Sequence, residues 1–296
     1  MSYNRSHFGE HRTRPVVAAV DGSPTSYQAA AWAAGEAALH RRALHILTAA
    51  LPTRPGRALT ATEADLERSR VHAERVVGEA ARVARDAGAG GLAITTEVSF
   101  EAVVPLLIER SVTAGTLVVG SHGSGGLHPG LLGSVATAVT SHARCPVAVI
   151  HGITAADPVS AARPVLVGVD GTANSAPAVE LAFEEASRRR VDLVALHAFS
   201  DIDGPLTLGR EMTIEAAEAE LSEALAGCGE RYPDVAVRTI VVANRAVRSL
   251  LRESMTAQLL VVGSHGRGGF PGMLLGSTSA ALLRAVQVPM IVVRAR

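Results

Sequence analysis

The stretch "VVGSHGRGGFPGMLLGST", Val261–Thr278, opens on an apolar pair and passes five glycines before closing on Gly-Ser-Thr. Nearly the same words stand at "VVGSHGSGGLHPGLLGSV", Val118–Val135. Aligned from Leu117 and Leu260, 14 of 23 positions are identical. A second pair of segments repeats further upstream. "RPVVAAVDGSP" at Arg14–Pro24 matches "RPVLVGVDGTA" at Arg163–Ala173. Asp21 and Asp170 are 149 residues apart, Gly120 and Gly263 only 143, so the second copy is 6 residues shorter in its middle. A repeat of about 140 residues is one domain written twice.

Within each copy, short continuous apolar runs alternate with Ala-rich segments of helical spacing. The runs are Val16–Val20, Leu44–Ala49, Thr116–Val119 and Val147–Ile150, then Pro164–Val169, Leu193–Ala198, Leu259–Val262 and Met290–Val293. Strands apolar on both faces belong to buried parallel sheets. Tyr27–His40 and its partner Pro177–Arg190 have helical spacing, and Trp32, aligned with Leu181, reads as core. Glu211–Leu225 reads as a solvated amphipathic helix. The alternation predicts α/β architecture, with a five-stranded sheet and helices on both faces in each copy. The copies are expected at residues 15–151 and 164–296, joined by a polar linker over 152–163. The first 14 residues are polar with no signal-peptide apolar stretch, and are expected to be a disordered tail.

Composition narrows the function. The chain has 296 residues, is 48% hydrophobic, and carries 28 basic and 28 acidic residues. Zero formal charge and 3% aromatics argue against nucleic-acid binding. No run of about 18 apolar residues is present, so no membrane span is expected. Cys145 and Cys228, far apart and without a CxxC, read as reduced thiols of a cytoplasmic protein.

In doubly wound sheets, ligands bind beyond the carboxyl ends of the strands. Two loops fall there in each copy. One is the turn Asp21-Gly22 or Asp170-Gly171, where the Asp either caps the next helix or faces a base or sugar. Gly168, inside a strand and matched by Ala19, suggests close approach of a ligand. The other is the glycine loop: Gly120, Ser121, His122, Gly123, Ser124, Gly125, Gly126, Gly133, Ser134 and Val135. Its second copy is Gly263, Ser264, His265, Gly266, Arg267, Gly268, Gly269, Gly276, Ser277 and Thr278. Glycines let backbone N–H groups form an anion nest, and the following helix adds its N-terminus. Ser134, Ser277 and Thr278 are candidate N-caps or phosphate donors. A polyphosphate is the natural guest, although the loop is neither a P-loop nor a GxGxxG turn. His122 and His265 are more readily phosphate donors than catalytic bases. No acidic pair stands beside either loop to hold a metal.

These residues resemble the universal stress protein family, in its tandem form. Its ATP-binding subclass carries G-x2-G-x9-G-[ST] after the fourth strand, matched at Gly120, Gly123, Gly133, Ser134 and at Gly263, Gly266, Gly276, Ser277. The family's Asp at the end of strand one is matched by Asp21 and Asp170. The resemblance implies a Rossmann-like sheet of order 3-2-1-4-5 and ATP in each domain, with Mg2+ or Mn2+. It also implies pairing of the two domains through "PVAVI" and "PMIVV", a possible homodimer, and a regulatory rather than catalytic role in stress or dormancy. A slow ATPase or nucleotide-transferring enzyme and a nucleotide-free scaffold are the competing expectations. Arg267 stands where the first copy has Ser124, and Asp201 where it has Pro52. Tighter ATP binding is therefore expected in the second copy.

Overall fold

The computed structural model describes residues 14–51, 62–88, 90–123, 132–152, 158–199, 213–243, 245–266 and 275–295. The chain divides into two compact units, Met1–Ile150 and His151–Arg296. The first runs β1 (Val16–Ala19), α1 (Pro24–Leu39), β2 (Leu44–Ala49), α2 (Glu63–Ala87), β3 (Ile94–Ser99), α3 (Val103–Arg110), β4 (Thr116–Gly120), α4 (Ser134–His142) and β5 (Val147–Ile150). The second opens with a short helix α5 (Pro158–Ala161), inside the segment expected as linker. It continues with β6 (Val165–Val169), a 3-10 turn at Ala173–Ser175, α6 (Ala176–Arg189), β7 (Leu193–Phe199), α7 (Ile214–Arg231) and β8 (Val237–Ala243). It ends with α8 (Ala246–Ser254), β9 (Leu259–Gly263), α9 (Ser277–Ala285) and β10 (Met290–Val293).

In the first unit the strand order is β3-β2-β1-β4-β5, and in the second β8-β7-β6-β9-β10. Both are the expected 3-2-1-4-5, and the pairs within each unit are parallel. Right-handed crossovers put the helices of the outward-moving steps β1→β2→β3 on one face. The helices of the steps β3→β4→β5 then fall on the other. Accordingly α1 packs with α2 and α3 with α4, and the second unit repeats this with α6–α7 and α8–α9.

The local reasons are visible in the residues. Strands β1, β4 and β6 are nearly all buried, as their unbroken apolar runs require. Leu44, Ile46, Leu47 and Leu117 are fully buried, each contributing roughly 1.5–3 kcal/mol of transfer free energy. On α1, Ala29, Ala30, Ala33, Ala34 and Ala37 are buried, so that helix lies close to the sheet, and Trp32 is in the core as expected. Thr62 and Asp65 form a reciprocal capping box at the start of α2.

The edge strands differ. β3 is "ITTEVS", half open to solvent. Its Glu97 accepts from Arg110 of α3 at 2.8 Å and bonds His45 of β2 at 2.8 Å. The Arg110 guanidinium, helped by His45, holds the Glu97 carboxyl below the ordinary carboxylate range. Neither cysteine is in a disulfide, and both are buried. Burial pushes the Cys228 thiol up, although Arg231 beside it pulls the other way.

Candidate functional site

The sheet order reverses between β1 and β4, and again between β6 and β9. From β1 the chain leaves to α1 on one face, and from β4 to α4 on the other. A crevice between the two carboxyl ends follows from that divergence.

On the β1 side, Gly22 has φ +84°, a left-handed conformation that a side chain resists. It lets the Asp21 carboxylate fold back onto the next turn. Oδ1 of Asp21 accepts from the Ser23 backbone N–H at 3.0 Å and from Ser23 Oγ at 2.6 Å. Ser23, not Asp21, is the N-cap of α1: its Oγ accepts from Ser26 N at 3.2 Å, and Pro24 follows at the first helical position. The second unit repeats this arrangement. Gly171 has φ +73°, and Asp170 accepts from Thr172 N and Oγ1, both at 2.8 Å. Sequence reasoning passed over Ser23 and Thr172 as site residues. The signal was there: a hydroxyl residue two places after Asp closes an Asx-type turn that locks the carboxylate.

On the β4 side, Gly120 and Gly263 are the last strand residues rather than loop residues. A Cβ on Gly120 would meet Thr25 of α1 at 3.1–3.3 Å, so this glycine lets α1 approach the strand end. Ser121 N donates to Ile150 O at 2.8 Å, and Gly133 N donates back to Ser121 O at 2.7 Å. The matching pairs are Ser264 N to Val293 O and Gly276 N to Ser264 O, both at 2.7 Å. His122 is held on both sides, with Nδ1 2.8 Å from Ser121 Oγ and Nε2 3.3 Å from Thr25 Oγ1. In the second unit His265 Nδ1 lies 2.9 Å from Ser264 Oγ.

Gly133 and Gly276 occupy the N-cap positions of α4 and α9, and neither helix has a side-chain cap. This removes the capping half of the expectation that Ser134, Ser277 and Thr278 are N-caps or phosphate donors: Ser134 and Ser277 are the first helical residues, followed by Val135 and Thr278. A helix start without a side-chain cap keeps its first-turn N–H groups and the positive end of its dipole for an anion. In the second unit Ser279 Oγ additionally donates to Gly263 O at 2.7 Å, tying α9 to the strand end.

The two loops converge in each unit. A Cβ built on Gly123 runs into Asp21 Oδ2. A Cβ on Gly266 would sit 3.2 Å from Asp170 Oδ2. Asp21, Gly22, Ser121, His122, Gly123, Gly133, Ser134 and Val135 therefore surround one crevice, and Asp170, Gly171, Ser264, His265, Gly266, Gly276, Ser277 and Thr278 the other. Gly168 has a different reason from the one expected. A Cβ there would meet Leu250 of α8 at 3.2 Å and Val262 at 3.4 Å, so the glycine serves packing between sheet and helix. Ala19, its counterpart, ends β1. Ser124, Gly125, Gly126, Asp201, Arg267, Gly268 and Gly269 lie outside the described residues. Among the described residues, no helix is long and apolar enough to cross a membrane.

In each crevice small residues line one side, backbone donors start the helix, and a locked carboxylate stands opposite. The fold is shared with a universal stress protein from Archaeoglobus fulgidus of known crystal structure, at 21% identity and TM-score 0.69, covering 95% of this chain and 98% of that one. Sequence likeness goes further. The chain is 45% identical over 286 residues to universal stress protein Rv2005c of Mycobacterium tuberculosis, covering 94% of this chain and 96% of that protein. It is 40% identical over 292 residues to universal stress protein Rv2623 of the same organism, with the same coverage. Residues 12–151 and 161–294 each match the universal stress protein family. With both halves matched and the family's loops converging in each unit, the chain belongs to the universal stress protein family, as a tandem member.

Proposed function

We propose that each unit binds ATP and that the chain acts as a nucleotide-dependent regulator in a stress or dormancy response. The observation that carries this reading is the meeting of the Asp turn and the glycine loop, Asp21 with Gly123 and Asp170 with Gly266. Residues about a hundred positions apart converge in the same way twice, next to a helix start that lacks a side-chain cap.

The triphosphate lies along the glycine loop, against the first-turn N–H groups of Ser134 and Val135 in one unit and Ser277 and Thr278 in the other. The nucleoside lies toward Asp21 or Asp170. Mg2+ or Mn2+ would be held mainly by phosphate oxygens, because the Asp carboxylates are already engaged by Ser23 and Thr172. The second site binds more tightly, through Arg267 on phosphate and Asp201 on ribose. Output is through occupancy rather than turnover: His122, the nearest candidate base in the first unit, is bonded at both ring nitrogens within the fold. The proposal places the chain in the cytoplasm, consistent with two buried cysteines that form no disulfide.

The test is direct. The protein is purified without added nucleotide and denatured, and what it releases is identified and quantified by mass spectrometry. ATP at one to two per chain supports the reading. ADP or AMP in its place favours slow turnover. Nothing released, with no heat on ATP titration, makes the chain a nucleotide-free scaffold. Gly123→Glu and Gly266→Glu, titrated separately, then rank the two sites, and equal losses would contradict the tighter second one.

A further inference from the structure

The two units differ at one buried position beside the Asp turn. His197 on β7 pairs in register with Val169, the residue before Asp170. Its ring is 1% exposed. Nδ1 lies 2.8 Å from the Val169 carbonyl oxygen, which can only accept, so Nδ1 carries the proton. In the neutral ring Nε2 is then a bare acceptor, and among the described residues it has no hydrogen-bond partner. Among the described residues, Glu220 of α7 approaches Nε2 with its Oε2 at 3.9 Å. An ionised carboxylate has no proton to give.

The first unit shows where Glu220 stands. The buried row Ala73, Val77, Ala81, Ala84 of α2 matches Ala217, Leu221, Leu225, Cys228 of α7 at one common offset, which pairs Val76 with Glu220. Val76 lies over the Asp turn, its Cγ2 3.1 Å from a Cβ built on Gly22. By that offset Glu220 stands on α7 where Val76 stands on α2, and His197, bonded to the carbonyl before Asp170, lies beside the turn on the side of α7. Thr48 takes the place of His197 in the first unit, by the register of β1 with β2 and of β6 with β7.

We propose that His197 is a specificity-determining residue of the second site: its bare Nε2 accepts a hydrogen bond from an N–H or O–H group on the nucleoside half of the bound nucleotide. The inference rests on the ATP reading above and adds which atom of the chain reads the nucleoside. A buried acceptor without a donor is destabilising, and a donor carried in by the ligand removes that cost on binding. Three groups of adenosine qualify by chemistry: the 6-amino group, the 2′-hydroxyl and the 3′-hydroxyl. The first site, with a threonine hydroxyl that can itself donate, makes no such demand.

The experiment uses the full chain carrying Gly123→Glu, so that heat reports on the second site. ATP, 2′-deoxy-ATP, 3′-deoxy-ATP and purine riboside triphosphate are titrated calorimetrically, with and without His197→Phe. One analogue should bind about tenfold more weakly than ATP when His197 is present, and that penalty should vanish with phenylalanine. The analogue that shows this identifies the donor. His197→Gln, which keeps an acceptor, should restore part of the discrimination. Penalties that are the same with histidine and phenylalanine overturn the proposal, and mean that a buried water or a protonated Glu220 serves Nε2. If His197→Phe fails to fold, the 15N resonance of Nε2 in the unsubstituted ring decides. An upfield shift on adding ATP supports the bond, and an unmoved resonance overturns it. Absence of any ATP binding to the second unit defeats the ATP reading and this one together. Binding without coupling to His197 defeats this one alone.

Discussion

The Asp21 carboxylate stands where a side chain on residue 123 would have to go, since a Cβ built on Gly123 collides with Asp21 Oδ2. The second unit is looser, with Asp170 Oδ2 3.2 Å from the Cβ position of Gly266. Gly123→Ala must therefore break the Asp21–Ser23 lock, whereas Gly266→Ala asks for a shift of a few tenths of an ångström. ATP affinity of the first unit should fall by about tenfold or more in Gly123→Ala, a loss of about 1.4 kcal/mol. Gly266→Ala should cost the second unit clearly less. Calorimetric titration of each variant checks the ranking, and the reverse order would refute this reading of the contact.

Gly22 combines a φ of +84° with Val76 Cγ2 at 3.1 Å from its Cβ position. Gly22→Ala meets both penalties and should lower stability by about 1–2 kcal/mol in urea unfolding. At Gly171 φ is +73°, also left-handed, so Gly171→Ala should lose stability through the backbone in the same way. A Gly22→Ala chain as stable as the parent would show that the turn readjusts without strain.

The Glu97 carboxyl is held down by Arg110 and His45. A depressed folded-state pKa stabilises the protein above the unfolded carboxylate value of 4.5. That contribution fades as pH falls through the lower, folded value. Arg110→Ala should thus cost about 1 kcal/mol near pH 7 and less below pH 4.5, because both partners are partly exposed. Denaturant midpoints of parent and variant at pH 6.5 and 3.5 should converge at the acid end, and a constant gap would assign the loss to packing instead.

Burial pushes the Cys228 thiol up. Since only the thiolate attacks, iodoacetamide should modify Cys228 in the native protein at least about tenfold more slowly than in urea, even at pH 8. Peptide mapping against time reads this, and equal rates would mean that α7 opens readily.

Four strands of each unit are legible as largely apolar runs, broken by His45 and Thr48 in β2 and by His197 in β7, because strands buried on both faces have few polar positions. The third strand of each is not. "ITTEVS" and "VRTIVVA" are half-exposed edges whose polar residues hide the run. The site loops are legible through duplication, and their convergence agrees with the topology that the repeat implies. Finer assignments needed three dimensions. Gly133 and Gly276 take the cap positions assigned to the hydroxyls after them, because a backbone hydrogen bond at that point already sets the helix start. Gly168 looks like ligand clearance in one dimension, yet the side chain that fills its space comes from Leu250, 82 positions away.

The 2.7 Å bonds from Gly133 to Ser121 and from Gly276 to Ser264 have an architectural consequence. In each unit the chain departs from a point and returns to the same point before the helix begins. The frame on either side is fixed by that clasp, independent of how many residues run between its ends. Lengthening such a closed segment costs only a slowly growing entropy. The segment enclosed by each clasp is therefore a replaceable cassette, which can take insertions or swaps while the sheet and the helix that follow keep their register.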